Sequence, residues 1–482
     1  MSVTPFTREP IVPDKVTGLP ENSARRLAES FNLRVIFFLL VHMPLAYAIE
    51  AAWPLATAHA ALVALLGVRW AWLGRSRRVL YTMSYIAGAE VLWRMGEARV
   101  NWEFGKYALV LVAGVALLSE WRRGDARLRS VMPVLLLVAA LPGIVMSVLD
   151  LGPSLAFDEI SFNLSAYFAL VLVGLYLWAR PINRPTAARA LLALMAPTVG
   201  ILFLAGYSTI ANFTSEFGRG SSWTRSGDFG ANQVANMLSL GALCGFILLI
   251  LLPRARAARL VIGLLTVAMI IQGVLTFSRG GLYSLVLAGL AFGLHLWRTP
   301  AARGRFVLLT GALTALIFAG FYPWLDTMSA GAVTERFQST DSTGRLELVQ
   351  SDWLAFQEYP ILGAGVGGSM IYHEYYLGYS IGTHTEFSRL LGEHGLFGIA
   401  IMAILGWMLL RRYLGNPPGL GRAMSASMAV WALSMMFHSA TRVAAIPFAL
   451  ALVLVAWKIE EERQPAEPQP APLFGARPGR LR

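Results

Sequence analysis

The chain has 482 residues, 56% hydrophobic and 14% charged, with a mean hydropathy of +0.57, a composition that excludes a soluble globular domain. Its net charge of +12, from 40 Lys and Arg against 28 Asp and Glu, sits in short arginine clusters between apolar runs, so it reads as a topology signal and not as a nucleic-acid surface. The one cysteine, Cys244, lies inside an apolar run and can form neither an intramolecular disulfide nor a cysteine metal site.

The polar start, through Ser30, is too long and too mixed for the leader of a cleavable signal peptide, so the first span is expected to remain as an anchor. A helix needs about 20 mostly apolar residues to cross the hydrocarbon core. By that measure spans are expected at 33–50, 53–73, 79–96, 104–120, 131–149, 162–179 and 187–206. Further spans are expected at 231–252, 260–277, 281–297, 305–322, 388–410, 423–439 and 443–457. The expected fold class is an all-α polytopic membrane protein of about 14 transmembrane helices (12–14), with one long periplasmic loop containing short amphipathic helices.

Charge follows the alternation of loops. The loops at 75–78, 121–129, 179–189, 253–259, 297–305 and 411–422 hold 19 arginines, and the opposite set holds about nine Lys or Arg. The arginine-rich set is therefore expected to be cytoplasmic together with both termini, and the excursion after Trp324 to face outside. The tail from 460 to 482 is rich in Pro, Arg and Glu and is expected to be disordered.

Positive charge on the outer face runs against this bias. Arg279 occupies the turn TFSRGG (276–281), where it can hold a phosphate as a planar fork or snorkel to lipid headgroups. Arg225 lies in a glycine-rich outer loop that enters a span through Asp228 to Asn236, and the loop could present an anion to that helix start. Arg219, in the same loop, reads as a solvated side chain. In the long excursion, Leu346, Val349, Trp353 and Phe356 form one stripe of an amphipathic helix that ends at Tyr359-Pro360, either on the membrane surface or packed over the spans. Arg345 starts that helix and either binds phosphate or pairs with Glu347 or Asp352. GAGVGG (363–368) is a flexible turn and a weak phosphate nest, without the preceding strand of a dinucleotide fingerprint.

THTE (383–386) has the form of a capping box ahead of an apolar run, which places His384 in the first turn of the twelfth span. The helix dipole there disfavours imidazolium and keeps the ring able to accept a proton. A lone histidine is more often solvated or packed; the outward arginines nearby favour chemistry. His42, His59, His295, His373, His394 and His438 lack a motif that singles them out, and Glu90 and Arg94 are spaced to pair within the third span. No His/Glu spacing suggests a metal.

TFSRGG, GRLELVQSDW (344–353), YPILGAGVGG (359–368) and THTEFSRLLGEHGLFG (383–398) together resemble the O-antigen ligase and polymerase-like family over about residues 200–415. The resemblance implies transfer of a glycan from an undecaprenyl-diphosphate-linked glycan donor to a glycan or lipid A core acceptor, outside the bacterial inner membrane, without metal, cofactor or nucleic acid. It implies catalytic roles for His384, Arg279 and Arg225, with Arg345, Arg219 and Arg389 as substrate-binding candidates and membrane lipids and polysaccharide assembly proteins as partners. Thr385 stands where many ligases have Asn, and the Glu386 and Arg389 pattern is nearer to exopolysaccharide polymerisation, so the acceptor stays open among lipid A core, another lipid-linked repeat and a protein.

The domain organisation that follows is a cytoplasmic tail at 1–32, N-terminal transmembrane helices at 33–199, a catalytic region at 200–415 including the periplasmic loop 323–385, C-terminal transmembrane helices at 416–459 and the cytoplasmic tail at 460–482. Two readings from other classes are a transporter or flippase of polyanionic lipid-linked glycans and a non-catalytic envelope scaffold. The first predicts charged residues deep in several spans and repeat symmetry, and the sequence has little of either.

Overall fold

The computed structural model describes residues 21–125, 130–212, 220–252, 255–297, 300–338, 344–379 and 381–459. Arg219, most of the expected N-terminal tail and the whole C-terminal tail lie outside them. The chain folds first into α1 (Glu21–Leu40), α2 (His42–Ala51), α3 (Trp53–Trp72), α4 (Ser76–Met95), α5 (Phe104–Arg122), α6 (Met132–Leu177) and α7 (Arg184–Ala211). Then come α8 (Ala231–Leu251), α9 (Arg256–Leu275), α10 (Arg279–Leu296) and α11 (Pro300–Ala315). Four short helices occupy the polar excursion: α12 (Tyr322–Met328), α13 (Ala332–Gln338), α14 (Arg345–Glu358) and α15 (Gly368–Leu377). The last four are α16 (Glu386–His394), α17 (Leu396–Gly415), α18 (Leu420–His438) and α19 (Ala445–Val453). Strands β1 (Pro181–Asn183) and β2 (Ala456–Lys458) form one short parallel pair.

Long apolar runs become helices because lipid offers the backbone no hydrogen bonds, and a helix satisfies them internally. Among the described residues nine helices are long and apolar enough to cross a membrane, against the fourteen expected. The expected spans 131–149 and 162–179 merge into α6, whose backbone breaks at Gly152 (φ 75°). α4 and α18 are not apolar enough, and α11 (16 residues) and α19 (9 residues) are too short. The span expected at 388–410 is interrupted at Gly395, so the crossing helix is α17 and α16 precedes it.

Contacts at the ends of α4, α7, α8, α17 and α19 agree with the expected alternation of loops. At one end of the bundle Arg94, in the last turn of α4, donates to Gln233 Oε1 in the first turn of α8 (2.8 Å) and to the carbonyl of Arg442 just before α19 (3.2 Å). At the other end Arg184 donates to the carbonyls of Ile250 and Leu251, and Arg412 to that of Leu454. Among the nine crossing helices α7 and α8 are the most buried, and they pack closely through small residues; a Cβ on Gly241 would lie 2.3 Å from Thr198 Oγ1. The expected pair Glu90–Arg94 forms at 3.2 Å, and Glu90 also accepts the N–H of Ala444 at the start of α19 (2.6 Å).

His42 and His59 are joined in a chain through the N-terminal helices. Trp93 Nε1 can only donate, so His59 Nδ1 accepts it (2.8 Å) and the His59 proton sits on Nε2, facing the Tyr85 hydroxyl (3.1 Å). Tyr85 then donates to His42 Nε2 (2.9 Å), and His42 Nδ1 donates to the Phe38 carbonyl (2.7 Å). Every link has one donor and one acceptor with all groups neutral.

The polar excursion packs in two parts. α12 and α13 cover the turn before α10 through a small core of Val274, Phe277, Leu325, Ala332 and Val333. α14 and α15 pack on α16. α14 ends at Tyr359 as expected, but it buries Leu348, Ser351, Asp352 and Ala355, while Leu346 and Trp353 of the predicted stripe stay exposed. Its buried face is chosen by polar partners: Asp352 accepts from Ser388 (2.5 Å) and meets His373 Nε2 (3.1 Å). The GAGVGG turn is no phosphate nest. The N–H groups of Ala364 and Gly365 donate to the carbonyls of Gly392 and Glu393, and that of Val366 to Gly143. At Gly363 (φ 76°) a Cβ would lie 2.3 Å from the Glu393 backbone.

Candidate active site

His384 sits on a link, residues 381–385, between the polar excursion and α16. The expected capping box does not form: the N-cap is Thr385, Thr383 Oγ1 has no hydrogen-bond partner among the described residues, and Glu386 turns inward. Glu386 Oε1 accepts from Tyr167 (2.8 Å) and from Arg389, whose Nη1 also donates to Glu393 (2.7 Å). Charge-assisted bonds to a buried guanidinium outweigh a single cap bond.

Three donors hold the link. Arg442, in the turn between α18 and α19, donates to the carbonyls of Gly382 (2.9 Å) and Thr383 (3.2 Å). Ala440, at φ 48°, donates its N–H to the carbonyl of His384 (3.1 Å). His373 Nδ1 donates to the carbonyl of Ile381 (2.7 Å). The His384 ring is half-buried, and its Nδ1 faces the carbonyl of Gly382 (3.2 Å). A carbonyl only accepts, so Nδ1 carries the proton and Nε2 keeps a free lone pair. Burial, then the nearby Arg442 and Arg345, lower the pKa of His384 to about 4. The ring lies just ahead of α16, before its N-cap Thr385, and not within its first turn.

Arg279 begins α10 in the TFSRGG turn, where Phe277 adopts φ 57°, a conformation that costs a bulky residue energy and is held here by its burial in the small core. Arg279 Nη1 donates to the carbonyl of Arg336 (3.4 Å), and Arg336 Nε to that of Phe277 (3.2 Å). Burial, then the charges of Arg279, Arg336 and Arg442, lower the pKa of Arg345. It pairs with neither Glu347 nor Asp352 and has no carboxylate partner among the described residues. Arg442 and Arg345 thus lie near His384, and Arg279 and Arg336 extend the cluster on the side of Arg345.

Arg225 is behind this cluster. Its loop joins the same turn through Ser222 N–H to the carbonyl of Thr276 (2.8 Å), while Gln272 holds the carbonyl of Arg225 (2.7 Å) and the residue is buried. The α8 start reaches the turn too, since Ser278 donates to Asn232 (2.8 Å). His438 packs on Gly280, where a Cβ would lie 2.1 Å from its ring. Arg389 stands apart in its ion triad; burial opposes its charge, but Glu386 and Glu393 outweigh that and raise its pKa. Sequence reasoning missed Arg336 and Arg442. Both carry the signal that singled out Arg279, an arginine in an outer segment. It also missed the contact of His373 with Ile381, for which the sequence has no signal.

A family model described as O-antigen ligase matches residues 264–403. That stretch contains Arg279, Arg336, Arg345, His384 and Arg389 and leaves out Arg225 and Arg442. Nothing among curated proteins matches the chain.

Proposed function

From a multi-pass membrane protein whose O-antigen ligase-like segment carries Arg279, Arg345 and His384, we propose a membrane glycosyltransferase acting at the periplasmic face of the bacterial inner membrane. It moves a glycan from an undecaprenyl diphosphate carrier to an acceptor hydroxyl, in ligation or polymerisation of surface polysaccharide. The observation that carries this reading is a neutral histidine, free at Nε2, beside clustered arginines.

The arginine forks suit the donor's diphosphate and stabilise its charge as it leaves. His384 Nε2 takes the proton of the acceptor hydroxyl while that oxygen attacks the anomeric carbon from the side opposite the diphosphate. The new glycosidic C–O bond forms, the sugar–phosphate C–O bond breaks with its electrons going to the diphosphate, and the configuration inverts. Arg279, Arg345, Arg336 and Arg442 are assigned to the donor, with Arg225 supporting the turn from behind. Arg389 is assigned to the wall of the site, since its guanidinium is occupied by two carboxylates. The cytoplasmic placement of both termini rests on the arginine alternation.

The test is surface-glycan profiling of a deletion strain complemented with wild type or His384→Ala. A deletion that leaves core plus one repeat indicates a polymerase, and full-length chains held on the carrier indicate a ligase. Complementation by His384→Ala removes the histidine from the mechanism, and an unchanged glycan in the deletion removes the transferase reading.

A further inference from the structure

The end of the bundle away from His384 carries a second concentration of arginines. α4 starts there with Arg77 and Arg78 and runs to Arg94, whose bond to the carbonyl of Arg442 marks the His384 end. Arg78 and Arg94 are 16 positions apart, a rise of about 24 Å in a helix.

Four arginines close on the turn between α3 and α4. Arg69 and Arg78 lie over the ring of Trp70, 5.6 and 4.2 Å from its centroid. Arg122, in the last turn of α5, lies over Trp72 at 4.8 Å, and Arg123 sits so close to Gly74 (φ 65°) that a Cβ there would overlap its guanidinium. The Ser119 hydroxyl donates to the carbonyl of Trp72 (2.9 Å) and fixes α5 to the turn. A guanidinium stacked on a ring has its face covered and its N–H edge open to oxygen ligands. Among the described residues none of these four guanidinium groups donates a hydrogen bond or pairs with a carboxylate. Elsewhere on this face the forks are used: Arg184 and Arg412 end on backbone carbonyls, and Arg180 takes Glu120 (2.7 Å). Loop alternation accounts for the sign of charge at this end. It does not account for forks held on rings with their bonding edges unpaired.

The corner lies at the boundary of the bilayer, because α3 and α5 are both long and apolar enough to cross a membrane. On α3, Leu65, Arg69 and Trp72 recur at i, i+4 and i+7, and on α5, Leu118, Trp121 and Arg122 recur at i, i+3 and i+4; all six are exposed. Each face thus sets arginine and tryptophan at the edge of an apolar surface, as interfacial residues are set against lipid. A water-soluble polyanion would use the arginines and leave the leucines and tryptophans idle. A phospholipid matches both.

We propose that this corner binds an anionic phospholipid of the surrounding leaflet, in the form of a diphosphatidylglycerol headgroup. The arginine pair on Trp70 and the pair beside Trp72 and Gly74 each take one phosphate, and the acyl chains lie along Leu65 and Leu118. The inference is independent of the transferase reading, since none of these residues belongs to the His384 site.

The experiment titrates the purified, delipidated full-length chain in detergent with diphosphatidylglycerol and counts bound lipid by native mass spectrometry. Arg78→Gln with Arg123→Gln is expected to weaken binding at least tenfold. Neither guanidinium holds a hydrogen bond within the protein, so this variant is expected to stay folded, which thermal unfolding without lipid checks. Arg256→Gln with Arg411→Gln removes the same charge from other exposed helix ends on this face and is expected to leave binding unchanged. No binding to wild type, no loss with the first pair, or equal loss with both pairs overturns the site. Phosphatidylcholine bound as tightly overturns recognition of the anion, and phosphatidylglycerol bound as tightly at equal phosphate overturns the two-phosphate assignment. Displacement of the lipid by inorganic phosphate at the same concentration shows a site for the free anion and overturns the lipid assignment.

Discussion

Asp352 and His373 are both fully buried and meet at 3.1 Å, Oδ1 to Nε2. The second oxygen of Asp352 accepts from Ser388, and Nδ1 of His373 donates to Ile381, three residues before His384. With a carbonyl on one nitrogen and a carboxylate on the other, both nitrogens donate and the ring is an imidazolium. Burial alone would lower its pKa, but the bonds to Asp352 and Ile381 outweigh that and raise it. Glu393 of α16 adds to the rise, and the His373 charge disfavours a second cation at His384.

The sign of the resulting pH dependence follows. A histidine raised in the folded state contributes stability below its ordinary pKa of about 6.5 and loses it as pH rises through the higher folded value. Asp352→Asn is expected to cost about 3–5 kcal/mol, the scale for breaking a buried pair, and to remove the alkaline fall in stability. Thermal unfolding in detergent across pH 5–9 checks both; an unchanged alkaline fall shows that His373 is not its source.

For His384 the sign is opposite. Its pKa of about 4 keeps the ring neutral well below neutrality, so the acid limb of kcat/KM is expected near pH 4 and not near the ordinary value of about 6.5. Arg345 makes no hydrogen bond to the link, so Arg345→Met changes the field without cutting an anchor, and it should move that limb upward. A pH–rate series on both proteins measures the shift.

Arg279→Lys retains the charge and loses the planar fork, so a transfer rate at least about tenfold lower is expected, or about 1.4 kcal/mol in the transition state. Full activity in initial-rate assays would place the diphosphate elsewhere in the cluster.

Tyr85→Phe removes the central link between His59 and His42 and leaves a half-buried donor and a buried acceptor facing a gap. The expected cost is about 1–3 kcal/mol, seen as a lower melting temperature, with transfer by the folded fraction kept because the chain lies away from the link.

The places of the helices were legible in the sequence because lipid imposes a local rule, length and apolarity, on every span. The contacts of Arg94 and Arg184 at helix ends agree with the arginine alternation where they occur, and His384 and Arg279 stood out as polar residues between apolar runs. The partners were not legible. THTE satisfies the capping-box pattern, yet Glu386 bonds Tyr167 and Arg389 because α16 packs against α6, which no local pattern encodes. His373 had no motif and gained its contact with Ile381 only when α15 folded onto α14 and the link. Arg442 is 58 positions beyond His384 in the chain and reaches the link because α18 and α19 turn beside it. Burial is predicted by composition alone; which buried charges meet is decided by the packing of helices distant in sequence, since each desolvated charge must find its compensation among whatever that packing brings within reach.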